Sequence, residues 1–423
     1  MSAVLFAVFF GLLIFNMPVG FALFISSMIA LWYGGIPIVA VLQRAVNAAD
    51  SFILLAIPFF MVAGNLMSTG GISNRLISFA NSIVGFITGG LAHVNVVTSM
   101  LFAGITGSAV ADTVAVGSVI IPAMNKDGYR NDLTAAVTCC SSVIGVIIPP
   151  SIPFVIYGVV TGASIGKLFL AGMIPGILIG IYQMVVCYYA SKKHGYGTTK
   201  KFDLKVFWES LKESLLALLT PVMILGGIVL GIVTPSEAAL LAIVYALIVG
   251  FLCYKELSLK QLPALLLDAA KSTAIVMFMI CGAYLYGWII TNDKLPERVL
   301  GIITGVSTNP TIVLLMFVLI FLIAGMFIDL GAGIILLVPV LFPIVQTLGI
   351  DPIVFGTITV ISLAIGLVTP PVGACLFIAS EISEIPIVET TKASLPFILG
   401  MLGIVILIIF FPQIVLYLPQ KLM

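Results

Sequence analysis

Charge is what this sequence has least of. Only 8% of its 423 residues are Asp, Glu, Lys or Arg, 61% are hydrophobic, and the mean hydropathy is +1.28. A soluble domain carries about 25% charged residues, so no water-facing surface can be assembled from this composition. The remaining solvent is lipid. Histidine is nearly absent: His93 and His194 are the only two, which leaves no material for a histidine proton relay. The six cysteines, Cys139, Cys140, Cys187, Cys253, Cys281 and Cys375, lie in or beside apolar segments without metal-ligand spacing. They read as small lipid- or core-facing residues and not as a disulfide framework. There is no GxxxxGK[ST] phosphate loop, so the chain does not hydrolyse ATP by itself. Neither an HExxH motif nor a nucleophile triad occurs, and a net charge of +1 argues against nucleic acid as a partner.

What is abundant is apolar length. Runs near or above the roughly 20 residues that cross a bilayer core recur at 3–15 (continued past Pro18 by 20–32), 215–233, 238–253, 312–328 and 397–411. The start of the chain has no basic region and no small-residue cleavage site, and reads as a retained helix. One long hydrophilic stretch, 191–213, carries Lys192, Lys193, Lys200, Lys201, Lys205 and Lys212 against Asp203, Glu209 and Glu213. The positive-inside rule assigns it to the cytoplasm, and its central place divides the chain into halves, 1–190 and 214–423.

The halves repeat each other. At a constant offset of 221, Ala103-Gly104 falls on Ala324-Gly325, Pro122 on Pro343, Gly128 on Gly349, Ser141 on Ser362, Gly145 on Gly366, and Pro149-Pro150 on Pro370-Pro371. Weaker matches put Phe60-Met61 on Phe278-Met279 and Pro18 on Pro235. Glycine and proline fix backbone geometry, so their recurrence marks a duplication of structure. Duplicated halves are the usual build of secondary transporters, with the site where the repeats meet near the bilayer midplane. Inverted repeats place the N-terminus outside, in keeping with the absence of Lys and Arg from the first 40 residues. Each half contains two interrupted apolar segments, at 104–108 and 145–151 in the first, at 325–333 and 366–371 in the second. Irregular backbone at membrane depth survives only inside protein or along a wet cavity.

Oxygen-rich residues gather at these breaks. The duplication predicts two related cation sites built from hydroxyls and freed carbonyls, chemistry suited to sodium. The first uses Gly104, Thr106, Ser108, Gly145, Ile148 and Pro149; the second uses Gly325, Gly366, Thr369 and Val372. Asp112 and Asp329 each follow a break, and an acidic group in a membrane segment normally faces a cavity, a partner or an ion. Either coordinates a cation, lies behind one, or caps a helix; they do not superpose, because Asp329 falls on Ser108. Ser141 and Ser362 are placed with them, near substrate or behind the ion. Glu237 in Thr234-Pro235-Ser236-Glu237 opens a helix.

Gly107-Ser108-Ala109-Val110-Ala111-Asp112-Thr113, Ile148-Pro149-Pro150-Ser151-Ile152-Pro153, Thr234-Pro235-Ser236-Glu237-Ala238, Gly325-Met326-Phe327-Ile328-Asp329 and Thr369-Pro370-Pro371-Val372-Gly373 together resemble the large membrane subunit of tripartite ATP-independent periplasmic (TRAP) transporters, over nearly the whole chain. The resemblance implies an all-α polytopic membrane protein of the bacterial inner membrane, with two inverted repeats and an elevator mechanism. It implies re-entrant helical hairpins, here around 98–122 and 316–343, that move against a scaffold. It further implies sodium-driven import of a small organic acid, such as a dicarboxylate or sialic acid. Two partners follow: a separate small membrane subunit of about four helices, and a soluble periplasmic substrate-binding protein. Arg44, Arg75, Arg130 and Arg298 sit near predicted segment ends, so an anionic substrate is expected to meet hydroxyls, exposed N–H groups and bound sodium. Two rivals remain: a stand-alone divalent-anion or proton-coupled carrier, and an intramembrane enzyme using Asp112 and Asp329 as paired acids.

Overall fold

The computed structural model describes residues 1–15, 17–37, 39–50, 52–196 and 202–423; the side chains of Ala40, Leu42, Ala48, Ile105, Thr106 and Thr304 lie outside that description. Lys200 and Lys201 therefore fall outside the described residues, as does the Thr106 hydroxyl. Every regular element described is helical, the expected answer to lipid, where each backbone group must be satisfied within its own segment. In the first half α1 (Ser2–Ile14), α2 (Val19–Tyr33), α3 (Val39–Ala49), α4 (Ala56–Thr69) and α5 (Ile72–Val84) precede a hairpin of α6 (Gly90–Thr106) and α7 (Ala109–Lys126). A broken helix follows, α8 (Asn131–Ser142) and α9 (Ile152–Thr161), and α10 (Ile165–His194) closes the half. The second half repeats the plan with α11 (Leu204–Val229), α12 (Pro235–Ile248), α13 (Leu262–Asn292) and α14 (Leu295–Val306), then a hairpin of α15 (Pro310–Gly325) and α16 (Leu330–Thr347). The second broken helix is α17 (Pro352–Gly366) and α18 (Ala374–Ile382), followed by α19 (Ile387–Phe410) and α20 (Gln413–Leu422). Seven of the described helices are long and apolar enough to cross a membrane.

Ion pairs stand at the two ends of α13. Its 31 residues span about 46 Å at 1.5 Å per residue. Just before it, Glu256 pairs with Arg75 of α5 at 2.6 Å; just after it, Asp293 pairs with the terminal amine at 3.5 Å. Both ends of the first hairpin are tied to Tyr196, beyond the end of α10. The Gly89 N–H donates to its carbonyl (2.9 Å), the Arg130 N–H donates to its hydroxyl (3.0 Å), and Tyr129 stacks on its ring (4.5 Å). The first hairpin thus enters and leaves on one face, that of α10's end. The broken helices run in opposite directions. Asn131 at the start of α8 donates to the Ser383 carbonyl at the end of α18 (3.3 Å), and Tyr157 of α9 donates to the Pro352 carbonyl at the start of α17 (2.7 Å). The trailing half of each broken helix packs on the other repeat's hairpin, α9 on α16 and α18 on α7. The repeats are inverted.

Three boundaries differ from expectation. The first hairpin spans 90–126 and not 98–122, because its polar residues are satisfied inside. Asn95 donates to Thr138 Oγ1 (2.7 Å), and Ser99 to Ser141 Oγ (3.0 Å). The second spans 310–347 and not 316–343: Asn309 caps its first helix by accepting from the Thr311 N–H (2.9 Å). Both flanks of the 191–213 stretch are helical. α10 runs on to His194 and stops at Gly195, whose φ is +76°, while Asp203 caps α11 through the Lys205 N–H (2.8 Å). At the head of α12, Thr234 and Glu237 form a reciprocal capping box.

Candidate functional site

The breaks meet because small residues let backbones touch. In the first half Gly107 turns α6 into α7 with φ +60°, and a Cβ there would lie 3.1 Å from the Pro150 carbonyl. A Cβ on Gly104 would lie 2.8 Å from the Pro221 ring of α11 and 3.8 Å from the Pro149 carbonyl. Gly145 rests against the carboxylate of Asp112, which is fully buried. Gly104, Ser108, Gly145 and Pro149 thus share one neighbourhood with Asp112, while the Ile148 side chain turns away to Gly176 of α10. In the second half the approach is closer still. A Cβ on Gly325 would lie 2.5 Å from the Leu363 carbonyl and 3.1 Å from its Cα, and one on Gly366 would lie 2.5 Å from Gly325 Cα. Thr369 Oγ1 donates to the Ile365 carbonyl (2.7 Å), leaving its lone pairs free. Ser362 Oγ is buried with no hydrogen-bond partner among the described residues. The Val372 side chain faces outward, 50% exposed, and does not join this group.

The register of the duplication explains the two aspartates. Ser108 caps α7 by accepting from the Ala111 N–H (3.4 Å), and Asp329, its counterpart, caps α16 by accepting from the Gly331 N–H (3.0 Å). Asp329 stands at an exposed tip, whereas Asp112, whose counterpart is Gly333, is sealed behind the first hairpin. Ser141 is sealed too: its hydroxyl donates to Asn95 Oδ1 (3.1 Å) and accepts from Ser99.

Between the tips lies a cavity of about 120 Å³ lined by Ser108 and Val146 from one half, Asp329, Gly331 and Leu367 from the other, and Val276 and Met279 of α13. A second, of about 250 Å³, shares Met61, Ser108 and Ile152 with it and adds Asn65, Ser68 and Ser272. A third, of about 370 Å³, lies toward the far end of α13, between Arg44, Trp288 and Thr291 on one side and Pro339, Phe342 and Pro343 of α16 on the other. Ala269, Ser272, Val276, Met279, Ala283, Gly287 and Thr291 of α13 follow one another at steps of three and four residues. That spacing places them on a single helix face. This face walls a row of cavities along α13 from Ala269 to Thr291. The opposite wall changes from α7, to both tips, to α16. Sequence reasoning missed this wall, although small residues at helical spacing in an otherwise Leu- and Ile-rich helix were a usable signal.

Among the described residues no group of three or more His, Cys, Asp or Glu side chains could hold a transition metal. The chemistry at the tips is that of hydroxyls, carbonyls and single carboxylates, which suits a hard monovalent cation and a small polar solute.

Inverted repeats, paired hairpin tips and a row of cavities along α13 are the architecture of a membrane transporter. The fold is shared with a solved transporter, YdaH of Alcanivorax borkumensis, at a TM-score of 0.65 and 14% identity over 87% of this chain and 86% of that one. Residues 6–414 match the family described as the tripartite ATP-independent periplasmic transporter, DctM component. The sialic acid TRAP transporter large permease SiaM of Vibrio cholerae is 41% identical over 97% of this chain and 96% of its own length. The C4-dicarboxylate large permease DctM of Pseudomonas aeruginosa is 40% identical over 88% of each chain, and the 2,3-diketo-L-gulonate large permease YiaN of Escherichia coli 36% over 96% of each. The chain belongs to the TRAP transporter large permease family. It is a multi-pass transport protein and not an enzyme.

Proposed function

We propose that the chain is the large permease of a sodium-coupled importer of a small organic acid in the bacterial inner membrane. A small membrane subunit and a soluble periplasmic binding protein work with it. The observation that carries this reading is the contact of each hairpin tip with the broken helix of its own repeat through glycine, beside a cavity walled by α13. The basic end of α10 lies in the cytoplasm and the N-terminus outside, by the distribution of Lys and Arg. The hairpins and broken helices then move as a body along α13 and carry the tip cavity from one face to the other.

Sodium fits the oxygen sets at the tips. The carbonyls around Gly104, Gly145, Ile148 and Pro149, with the Ser108 hydroxyl, would hold one ion. Gly325, Gly366 and Val372 would offer carbonyls to a second, with Thr369 as hydroxyl ligand and the orphaned Ser362 hydroxyl behind it. Bound sodium supplies positive charge beside an anionic solute. The chain's own part is to keep both tips open until the oxygens are gathered, so that solute is enclosed only with ions present. The relatives' named solutes (sialic acid, a C4-dicarboxylate, a keto sugar acid) favour a substrate among small organic acids.

The test is thermal stability of the purified chain in NaCl against equimolar choline chloride. A ligand bound only by the folded state stabilises it by RT ln(1 + [L]/Kd), about 2.7 kcal/mol at roughly a hundred times Kd. A sodium-specific rise, lost in Thr369→Val and Ser108→Ala, is the expected result. A rise equal in both salts would remove the sodium sites from the proposal.

A further inference from the structure

We infer that Arg44 forms a receiving site for the anionic head of the solute at the mouth of the cavity row on the Asp293 face, occupied before the solute reaches the hairpin tips. This rests on the reading of the chain as an organic-acid permease. The cavity there is the roomiest of the three along α13, about 370 Å³, and among the described residues Arg44 is the one charged side chain lining it. Its guanidinium carbon lies 4.0 Å from the centre of the Trp288 ring. A guanidinium held over an aromatic ring can still present its N–H groups to a planar anion, a geometry for which arginine is suited and lysine is not. Arg75 and Arg130 are neutralised by Glu256 and Asp132, whereas no ion pair joins Arg44 to a carboxylate among the described residues.

The position matters as much as the charge. One wall of this cavity is α13; the other is Pro339 and Phe342 of α16, the return helix of the second hairpin. Where the walls touch, a Cβ on Gly287 would sit 3.3 Å from the Pro339 ring, so a glycine faces a proline with nothing interlocked between them. A body that slides along α13 would pass its solute space directly beneath Arg44. A cation at the entrance of a low-dielectric cleft raises the local concentration of anions. The next carboxylate along the row, Asp329, lines the tip cavity together with Ser108 and repels an anionic head, so onward movement from Arg44 requires a cation bound at the tips.

Trp288 itself reports on the site. The chain has three tryptophans, Trp32, Trp208 and Trp288, so a Trp32→Phe, Trp208→Phe background leaves Trp288 alone. The full chain in phosphatidylcholine nanodiscs is titrated with succinate, N-acetylneuraminate and isethionate while Trp288 emission is followed. The expected result is a saturable change for at least one anion, weakened tenfold or more by Arg44→Gln and less by Arg44→Lys. Arg44 is exposed, so neither substitution should disturb folding. Three outcomes overturn the inference: no response to any of the anions, an unchanged titration in Arg44→Gln, or a response only when phosphatidylglycerol replaces phosphatidylcholine, which would make Arg44 a lipid-headgroup anchor. If reconstituted liposomes take up none of these anions while the titration behaves as expected, the permease reading fails and the anion site stands; the two failures are separable.

Discussion

Gly366→Ala should be among the most damaging single-methyl additions in the chain. The new Cβ would sit 2.5 Å from Gly325 Cα and 2.8 Å from its carbonyl oxygen, where non-bonded carbons prefer about 3.5–4.0 Å. The obstacle is backbone on both sides, so no rotamer change relieves it, and α15 and α17 must part by about 1 Å. Overpacking of this kind costs about 1–3 kcal/mol, and the upper half of that range is expected because every residue of α17 from Ile353 to Gly366 is buried. Gly145→Ala, its counterpart, meets the Asp112 carboxylate, a side chain and not backbone, and should fall about 1 kcal/mol short of that loss. Gly403→Ala, with nothing within 4 Å of its Cβ, should be neutral or stabilising by up to about 1 kcal/mol through helix propensity. Thermal unfolding of the three purified variants, followed by loss of the monodisperse species, reads the order directly. If Gly366→Ala melts with Gly403→Ala, the hairpin tip does not bear on the broken helix as described.

Three further outcomes are expected. Tyr157→Phe removes a 2.7 Å bond between α9 and Pro352 and should lower stability by about 1 kcal/mol, measured as a shift in the unfolding midpoint. Asp329→Ala removes the cap of α16 and should cost about 1 kcal/mol, whereas Asp329→Asn and Asp329→Ser should stay within a few tenths; a sodium-specific loss in all three would mean that the carboxylate serves an ion as well. Burial pushes the Tyr129 phenol, in the turn after the first hairpin, up to about 12. Its protonated form is favoured by folding, so its contribution is complete below about pH 10, the unfolded value, and is lost as pH rises toward 12; Tyr129→Phe should flatten that part of the stability profile.

Backbone-setting residues make the duplication legible in the amino-acid sequence itself. The Gly104 and Gly325 pair, the Gly145 and Gly366 pair, and the two Pro-Pro steps stand at matching breaks in the two halves, because glycine and proline restrict geometry wherever they fall. The pairing of Ser108 with Asp329 is also present in that register, and their shared capping role follows from it. Side-chain destinations are harder to see. Asn95, Ser99, Thr138 and Ser141 form a sealed network, and a polar residue looks the same in sequence whether it faces a cavity or another buried hydroxyl. Asn65, Ser68 and Ser272 line a cavity only because α4, α7 and α13 converge, a contact between segments far apart in the chain. Arg44, read as lying near a segment end, sits within α3 over the ring of Trp288, which lies more than 200 residues away.

The most direct measurement is uptake into liposomes holding the chain with its small subunit, supplied outside with loaded binding protein. The account predicts accumulation of a small organic acid under an inward sodium gradient, abolished when potassium or choline replaces sodium or when the binding protein is withheld. Uptake driven equally by a proton gradient without sodium, or undiminished without the binding protein, would contradict it and leave a stand-alone carrier built on the same inverted repeats.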